Sequence, residues 1–470
     1  MTAPTGTGVD RALAALPEAK RELARMLLAA RSPVPARPAP RSGAGPVPAT
    51  ALQARLLRRE RLGTSGSSGT GSHAVRLTGR LDTGRLREAL TGVLARHEAL
   101  RCRIGEPPDG GGPLLTVDEE PCLRLTCTDL AHLTPAARRE AVGAQLAESA
   151  ATPLSLESGR TSAFRLLTLG PDDHVLVLAS HLGVFDGWSS GVFLTDLATG
   201  YREGSGRLAP PDLQLPDHAD WQRRWLASPD GTAELADRRG AFAGIPPVPR
   251  APGGFERGHV PVRMDRGPGS PLDEGLALGA AAGATPFMTL VAALAVVLAR
   301  RDGTTGAVVG TPAAGRFAGP LEGAVGQFTT VVPIRVDLSG RPSFVEILHR
   351  TRTAVADALS HQRLPVDELF TAGTQPYDVL FALHNYPAVS LGLPGIEVGQ
   401  LPGPPAHHLE LYSTDPAVTV ACFGLVERDG EIGGTAEFNR RAAGPGDVTA
   451  LLGGVEDVLA RAAASPGTTP

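Results

Sequence analysis

An α/β protein of two lobes, each a mixed β-sheet with flanking helices, is the fold class this chain predicts. Three observations carry that prediction. The chain has 470 residues, more than a single hydrophobic core usually organises. Short β-branched apolar runs alternate with stretches of 3.6-residue periodicity, the mark of strands followed by helices. A proline- and glycine-rich stretch, GIPPVPRAPGGFERG (244–258), interrupts regular structure between two long periodic regions and marks a boundary.

The elements follow in order. Residues 10–31 repeat leucine and alanine at helical spacing with charges between, an amphipathic helix. Residues 32–48 are dense in proline and glycine and read as an extended linker, so 1–49 precede a globular body that starts near Thr50. The segment GTSGSSGTGSH (63–73) reads as a loop, followed by a strand in HAVRLTG and a helix in DTGRLREALTGVLARHEAL. HVLVLAS (174–180) predicts a strand and GWSSGVFLTDLATGYREG (187–204) a helix, which leaves HLGVFDG as the loop between them. The first lobe is assigned 50–245. In the second, 246–470, a helix is expected in ATPFMTLVAALAVVLARR and a strand in GAVVGTP. A hairpin is expected where VTVACFGLVE and EIGGTAEFN flank Arg428, Asp429 and Gly430.

Composition excludes several classes. A net charge of −4 and an aromatic content of 4% offer neither a basic field nor stacking surfaces for nucleic acid. No apolar run spans a bilayer and no secretion signal follows Met1, so a cytoplasmic chain without a membrane partner is expected, and a monomer. The four cysteines, Cys102, Cys122, Cys127 and Cys422, show no zinc spacing; neither a metal nor a disulfide is expected.

Several stretches resemble the condensation domains of nonribosomal peptide synthetases. TALQARLL (50–57) is similar to the family's opening S-x-A-Q-x-R motif, RHEALRCRI (96–104) to R-H-E-x-L-R-T, and HADWQRRWL (218–226) to Y-A-x-W-Q. Further on, GATPFMTLVAALAVVLARRDG, VVGTPAAGR, VGQFTTVVPIR (325–335) and HQRLPVDEL (361–369) follow the family's helix, arginine turn, latch and H-Q-x-x-P-x-E-x-L segments. The match runs from about Thr50 to about Ala464. It implies two chloramphenicol-acetyltransferase-like lobes in a V-shaped pseudodimer with a tunnel between them. Peptidyl or acyl carrier proteins of synthetase modules would feed the tunnel through phosphopantetheine arms, with no cofactor held by the chain itself. An acceptor amine would attack a donor thioester there. With no adenylation or carrier domain in the sequence, the chain is expected to stand alone.

The family's signature is HHxxxDG. Asp186 and Gly187 fix the register here, so His181 takes the place of the first, structural histidine and Leu182 that of the second, catalytic one. The family histidine handles the amine proton, a task suited to imidazole; leucine neither accepts nor donates one. A local bulge that re-aims His181 as a base is the alternative. Asp186 has two readings: an ion pair with Arg316 of the other lobe, which the resemblance implies, or a cap for the helix at Gly187. Trp188 and Ser189 either border the tunnel or pack in the first helical turn. His384 and Asn385 lie on a strand that faces either the tunnel or the core. His97 and Glu98 are expected to fix a helix end, and His361, Gln362 and Glu368 to organise the crossover between lobes. His407 and His408 lack metal spacing. Three functions compete: a condensation catalyst working without its usual histidine, a degenerate module that recruits carrier proteins or tailoring enzymes, and an acyltransferase acting on a soluble small molecule.

Overall fold

The computed structural model describes residue 21 and residues 37–63, 69–371, 373–384, 392–401, 408–428 and 430–469. The helix expected at 10–31, apart from Arg21, lies outside the described residues, as do Asn385, His407 and Asp429. Fourteen strands are described: β1 (Val47–Pro48), β2 (Thr70–Gly79), β3 (Cys102–Gly105), β4 (Leu114–Val117), β5 (Leu125–Asp129), β6 (Ser162–Gly170), β7 (Asp173–His181), β8 (Arg257–Asp265), β9 (Gly306–Ala313), β10 (Thr330–Asp337), β11 (Val379–His384), β12 (Ile396–Leu401), β13 (Ala421–Arg428) and β14 (Glu431–Asn439). They form a five-stranded sheet, β12-β2-β7-β6-β5, a six-stranded sheet, β10-β9-β11-β13-β14-β8, and a small sheet, β1-β4-β3.

Both large sheets are mixed. In the first, β5 runs parallel to β6 and the other pairs are antiparallel. In the second, β11 lies parallel to β9 and β13. β7 is apolar on both faces because both faces are covered: Leu176 and Leu178 join the core with Leu86, Leu90 and Phe193, while Val175 and Val177 join Leu167 and Leu169 under Val142 and Leu146. A continuous hydrophobic run is what double coverage demands.

The second sheet has its own core, in which helix Pro286–Asp302 is buried almost all round. Its boundaries are chemical: Thr285 caps it by accepting from the Met288 amide, proline follows in the first turn, and Gly303 ends it at φ 65°. The hairpin expected around residues 428–430 is β13–β14. Among the described residues, no single helix is long and apolar enough to cross a membrane.

Two features depart from the sequence reading. The loop expected over 63–73 ends early, because β2 starts at Thr70. Its glycines serve close approach: a Cβ on Gly69 would sit 2.4 Å from His181 Nε2, and one on Gly71 3.3 Å from Leu182 Cδ2. Second, β12 leaves the later half of the chain and pairs antiparallel with β2, Ile396 opposite Gly79 and Leu401 opposite Ala74. Gly79 permits this with φ 136°, where a Cβ would meet the Gly395 carbonyl at 2.1 Å.

Candidate functional site

The loop HLGVFDG lies between β7 and helix Gly187–Glu203, as its apolar and helical flanks require. Asp186 has extended backbone and accepts a hydrogen bond from the Ser189 amide at 2.9 Å, so it caps the helix. The same carboxylate receives Arg316 of the later half: Nη1 donates to Oδ2 at 2.7 Å and Nη2 to Oδ1 at 3.1 Å. Cap and ion pair are one carboxylate doing both. The Ser189 hydroxyl (2.7 Å), the Phe328 amide (3.1 Å), and the Thr329 amide and hydroxyl (3.3 Å each) also donate to it.

Burial alone raises the pKa of Asp186, but the Arg316 guanidinium and the Ser189 donors outweigh it and hold the group below the usual carboxylate range. Arg316 in turn lies over the Phe328 ring at 4.5 Å and donates to the Ala324 carbonyl at 3.2 Å. Gly315 makes this turn possible at φ 65°, since a Cβ there would lie 1.9 Å from the Phe328 carbonyl oxygen. Ser189 ties the halves again through Gly326, accepting from its amide at 3.0 Å. Trp188 is 37% exposed rather than packed in the core. Its indole N–H donates to the Glu322 carbonyl at 3.0 Å, and its face meets Arg316 at 5.6 Å.

His181 is sealed. Its Nδ1 accepts from the Gly183 amide at 3.0 Å, which leaves the proton on Nε2, 3.6 Å from Glu60 Oε2. Burial pushes its pKa down to about 3. The β2–β7 register runs unbroken from Asp173 to His181, so no bulge re-aims the ring. Leu182 is half-buried against the apolar core and over Gly71. The Leu182 side chain offers no proton chemistry.

The other motifs hold this loop in place. Gln53 completes a capping box with Thr50 and donates to the Gly183 carbonyl at 2.9 Å. Arg55, two residues on, pairs with Asp367 and donates to the Ser413 and Leu411 carbonyls at 2.7 and 3.0 Å, binding the later half. His97 accepts from the Val325 amide at 3.3 Å and contacts Asp196 Oδ2 through Nε2 at 2.7 Å. Glu98 pairs with Arg41, and His361 contacts Glu234 Oε1 at 2.8 Å through Nδ1. Gln362 and Glu368 are half-buried beside it, away from Asp186 in sequence and partner. His384 ends β11, half-buried, with burial lowering its pKa.

Sequence reasoning missed His218 and His73. His218 in helix Leu215–Leu226 is 5% exposed, packed edge-on to Phe328, with its pKa pushed down to about 4 by burial and by Arg316. His73 stands on β2 beside Phe185 and Ser190. His218 opens the HADWQ stretch at the position where the family segment has tyrosine, and His73 carries no signal beyond a lone histidine.

The chain matches the family model described as "Condensation domain" over residues 44–390. It belongs to that family. This condensation domain is 35% identical over 371 residues to phosphinothricin tripeptide synthetase PhsC of Streptomyces viridochromogenes, covering 75% of this chain and 34% of that protein. It is 32% identical over 353 residues to malpibaldin synthetase of Mortierella alpina, covering 69% of this chain and 6% of that one. It thus spans a minor part of these relatives. Among solved structures, the fold is similar to the X-domain from teicoplanin biosynthesis, both alone and in complex with OxyB. The TM-scores are 0.76 and 0.74, at 26% identity in each case, covering 92% and 93% of this chain and 98% of each matched chain. The domain has the expected α/β architecture of two mixed sheets flanked by helices.

Proposed function

We propose that this condensation domain transfers an acyl or peptidyl group from a carrier-protein thioester to an amine, or an alcohol, in natural-product biosynthesis. The observation that carries this reading is the Asp186–Arg316 lock, whose members are 1% and 2% exposed at the side chain. Each is tied to further donors or acceptors on both halves. Such a lock is costly to maintain and serves to hold two halves at a fixed separation.

Phosphopantetheine arms would deliver donor and acceptor between those halves. The acceptor nitrogen would bond to the thioester carbonyl carbon as the C–S bond breaks, releasing the arm as a thiol. A neutral amine is a competent nucleophile towards a thioester, and holding two reactants in register accounts for about 7–11 kcal/mol of barrier in well-oriented systems. General acid-base help typically contributes a further 10²- to 10⁴-fold. Leu182 removes the second contribution from its usual place and leaves the first. Asp186 and Arg316 act as positioning residues, with Trp188, Ser189 and His384 in or beside the path of the arms and Gly187 starting the helix that borders it.

The test is incubation with acyl-loaded carrier proteins and candidate acceptors, with mass detection of the transferred product. Transfer is expected; its absence across authentic pathway pairs refutes the catalytic reading. A second reading is supported by the likeness to the X-domain that forms a complex with OxyB: recruitment of carrier proteins or a tailoring enzyme without turnover. Stable binding of such partners with no product formed favours it.

A further inference from the structure

Leu182 cannot move the proton that an attacking amine must lose. The face of the first sheet that carries Leu182 carries one accessible imidazole as well. On β2, Gly71 and His73 share a face. Gly71 lies against Leu182, with an added Cβ 3.3 Å from Leu182 Cδ2. His73 is the next residue on that face, opposite Leu178 and diagonal to Ser180.

Its ring stacks obliquely on Phe185, centroids 5.6 Å apart. Ser190 Oγ lies 3.3 Å from Nδ1 and 3.4 Å from Nε2, a contact shared between the two ring nitrogens. The Ser180 hydroxyl is wholly buried and, among the described residues, has no hydrogen-bond partner. It is a polar group left over on an otherwise apolar face.

The other titratable groups of this sheet and its covering helices are engaged or remote. His181 is held by Gly183, Asp186 by Arg316, Asp196 by His97 and Arg96, and His174 stands at the far end of β7. His73, unlike these four, is exposed. Desolvation pushes its pKa down to about 4, so the ring is neutral at working pH.

We propose that His73, which Ser190 contacts, is the base that replaces the missing signature histidine in this chain. This rests on the acyl-transfer reading. As the acceptor nitrogen bonds to the carbonyl carbon, its proton passes to a ring nitrogen of His73. The C–S bond then breaks, and the ring returns the proton to the departing thiolate, giving amide and pantetheine thiol.

The experiment is single-turnover transfer from an acyl-loaded carrier protein to an amine acceptor, from about pH 5.5 to about pH 9, for the parent chain, His73→Ala, His73→Gln and Ser190→Ala. A loss of about 10²-fold or more is expected for both His73 variants across this range, with Tm unchanged. Glutamine keeps the shape of the ring and a hydrogen bond to Ser190 but not the basicity. Parent-like rate and profile in His73→Gln therefore overturn the base role while the transferase reading stands. A parent chain that transfers nothing overturns both.

Discussion

Removing Arg316 isolates the energetics of the lock. In Arg316→Ala, Asp186 keeps its burial and loses two charge-assisted hydrogen bonds, of 2.7 and 3.1 Å. Stranding one member of a buried pair costs about 3–5 kcal/mol. Donors from Ser189, Phe328 and Thr329 remain, which places the loss near the lower end, about 3 kcal/mol. For a cooperative unit of 150–250 residues, that lowers Tm by roughly 6–12 °C. The pH dependence supplies a second check. In the parent, the pKa of Asp186 is depressed; its stabilisation is therefore full above the unfolded value of about 4 and lost as pH falls through the folded one. In the variant, burial is opposed only by the remaining hydrogen-bond donors and the carboxyl protonates at higher pH, so the gap between the two proteins narrows on acidification. Calorimetry on parent, Arg316→Ala, Asp186→Asn and the double variant measures both effects. A Tm change under about 2 °C, or strict additivity in the double variant, refutes the idea that this pair locks the halves.

Other outcomes follow from the same geometry. Gln53→Leu removes the capping box and the donor to the Gly183 carbonyl; a loss of about 1–3 kcal/mol in denaturant titration is expected, and none would show that the loop holds itself. Gly315→Ala collides with the Phe328 carbonyl and is expected to cost at least as much as the gap between a strained and a relaxed backbone, about 1–3 kcal/mol, read by Tm. His181 and His218 are held neutral, with pKa values pushed down to about 3 and about 4. Their contribution is full above the unfolded value of about 6.5 and shrinks as pH falls toward the folded values. Between pH 7 and pH 5 each therefore removes about 2 kcal/mol, measurable as a falling midpoint. On the proposed acyl-transfer reading, Leu182→His supplies an imidazole beside the loop; a rate gain of about 10-fold or more in carrier-dependent transfer is expected, and no gain shows a path already unsuited to substrate.

Local chemistry was legible in the sequence. The apolar run of β7, the helix after Asp186, the capped helix Pro286–Asp302 and the β13–β14 hairpin all follow from periodicity and punctuation. What escaped was long-range. Nothing in Ile396–Leu401 signals that its partner is β2, some 320 residues earlier, because strand pairing leaves no trace in local composition. Gly69–His73 read as loop because its two glycines, placed to let His181 and Leu182 approach, look like turn residues. His73 was hidden for the same reason: only the register of β2 against β7, which sets it opposite Leu178, puts it on the sheet face where Gly71 meets Leu182.

The excursion of β12 has a practical meaning for anyone building hybrids of such chains. An exchange made at the proline-rich segment 244–258 would carry away, with the later half, the strand that shields the outer rim of β2. A foreign replacement must then match Gly79 and its neighbours rung by rung or leave that rim bare, open to self-association. Crossover points that transplant residues 396–401 with their native β2 avoid the mismatch, so the workable unit of recombination is discontinuous along the chain.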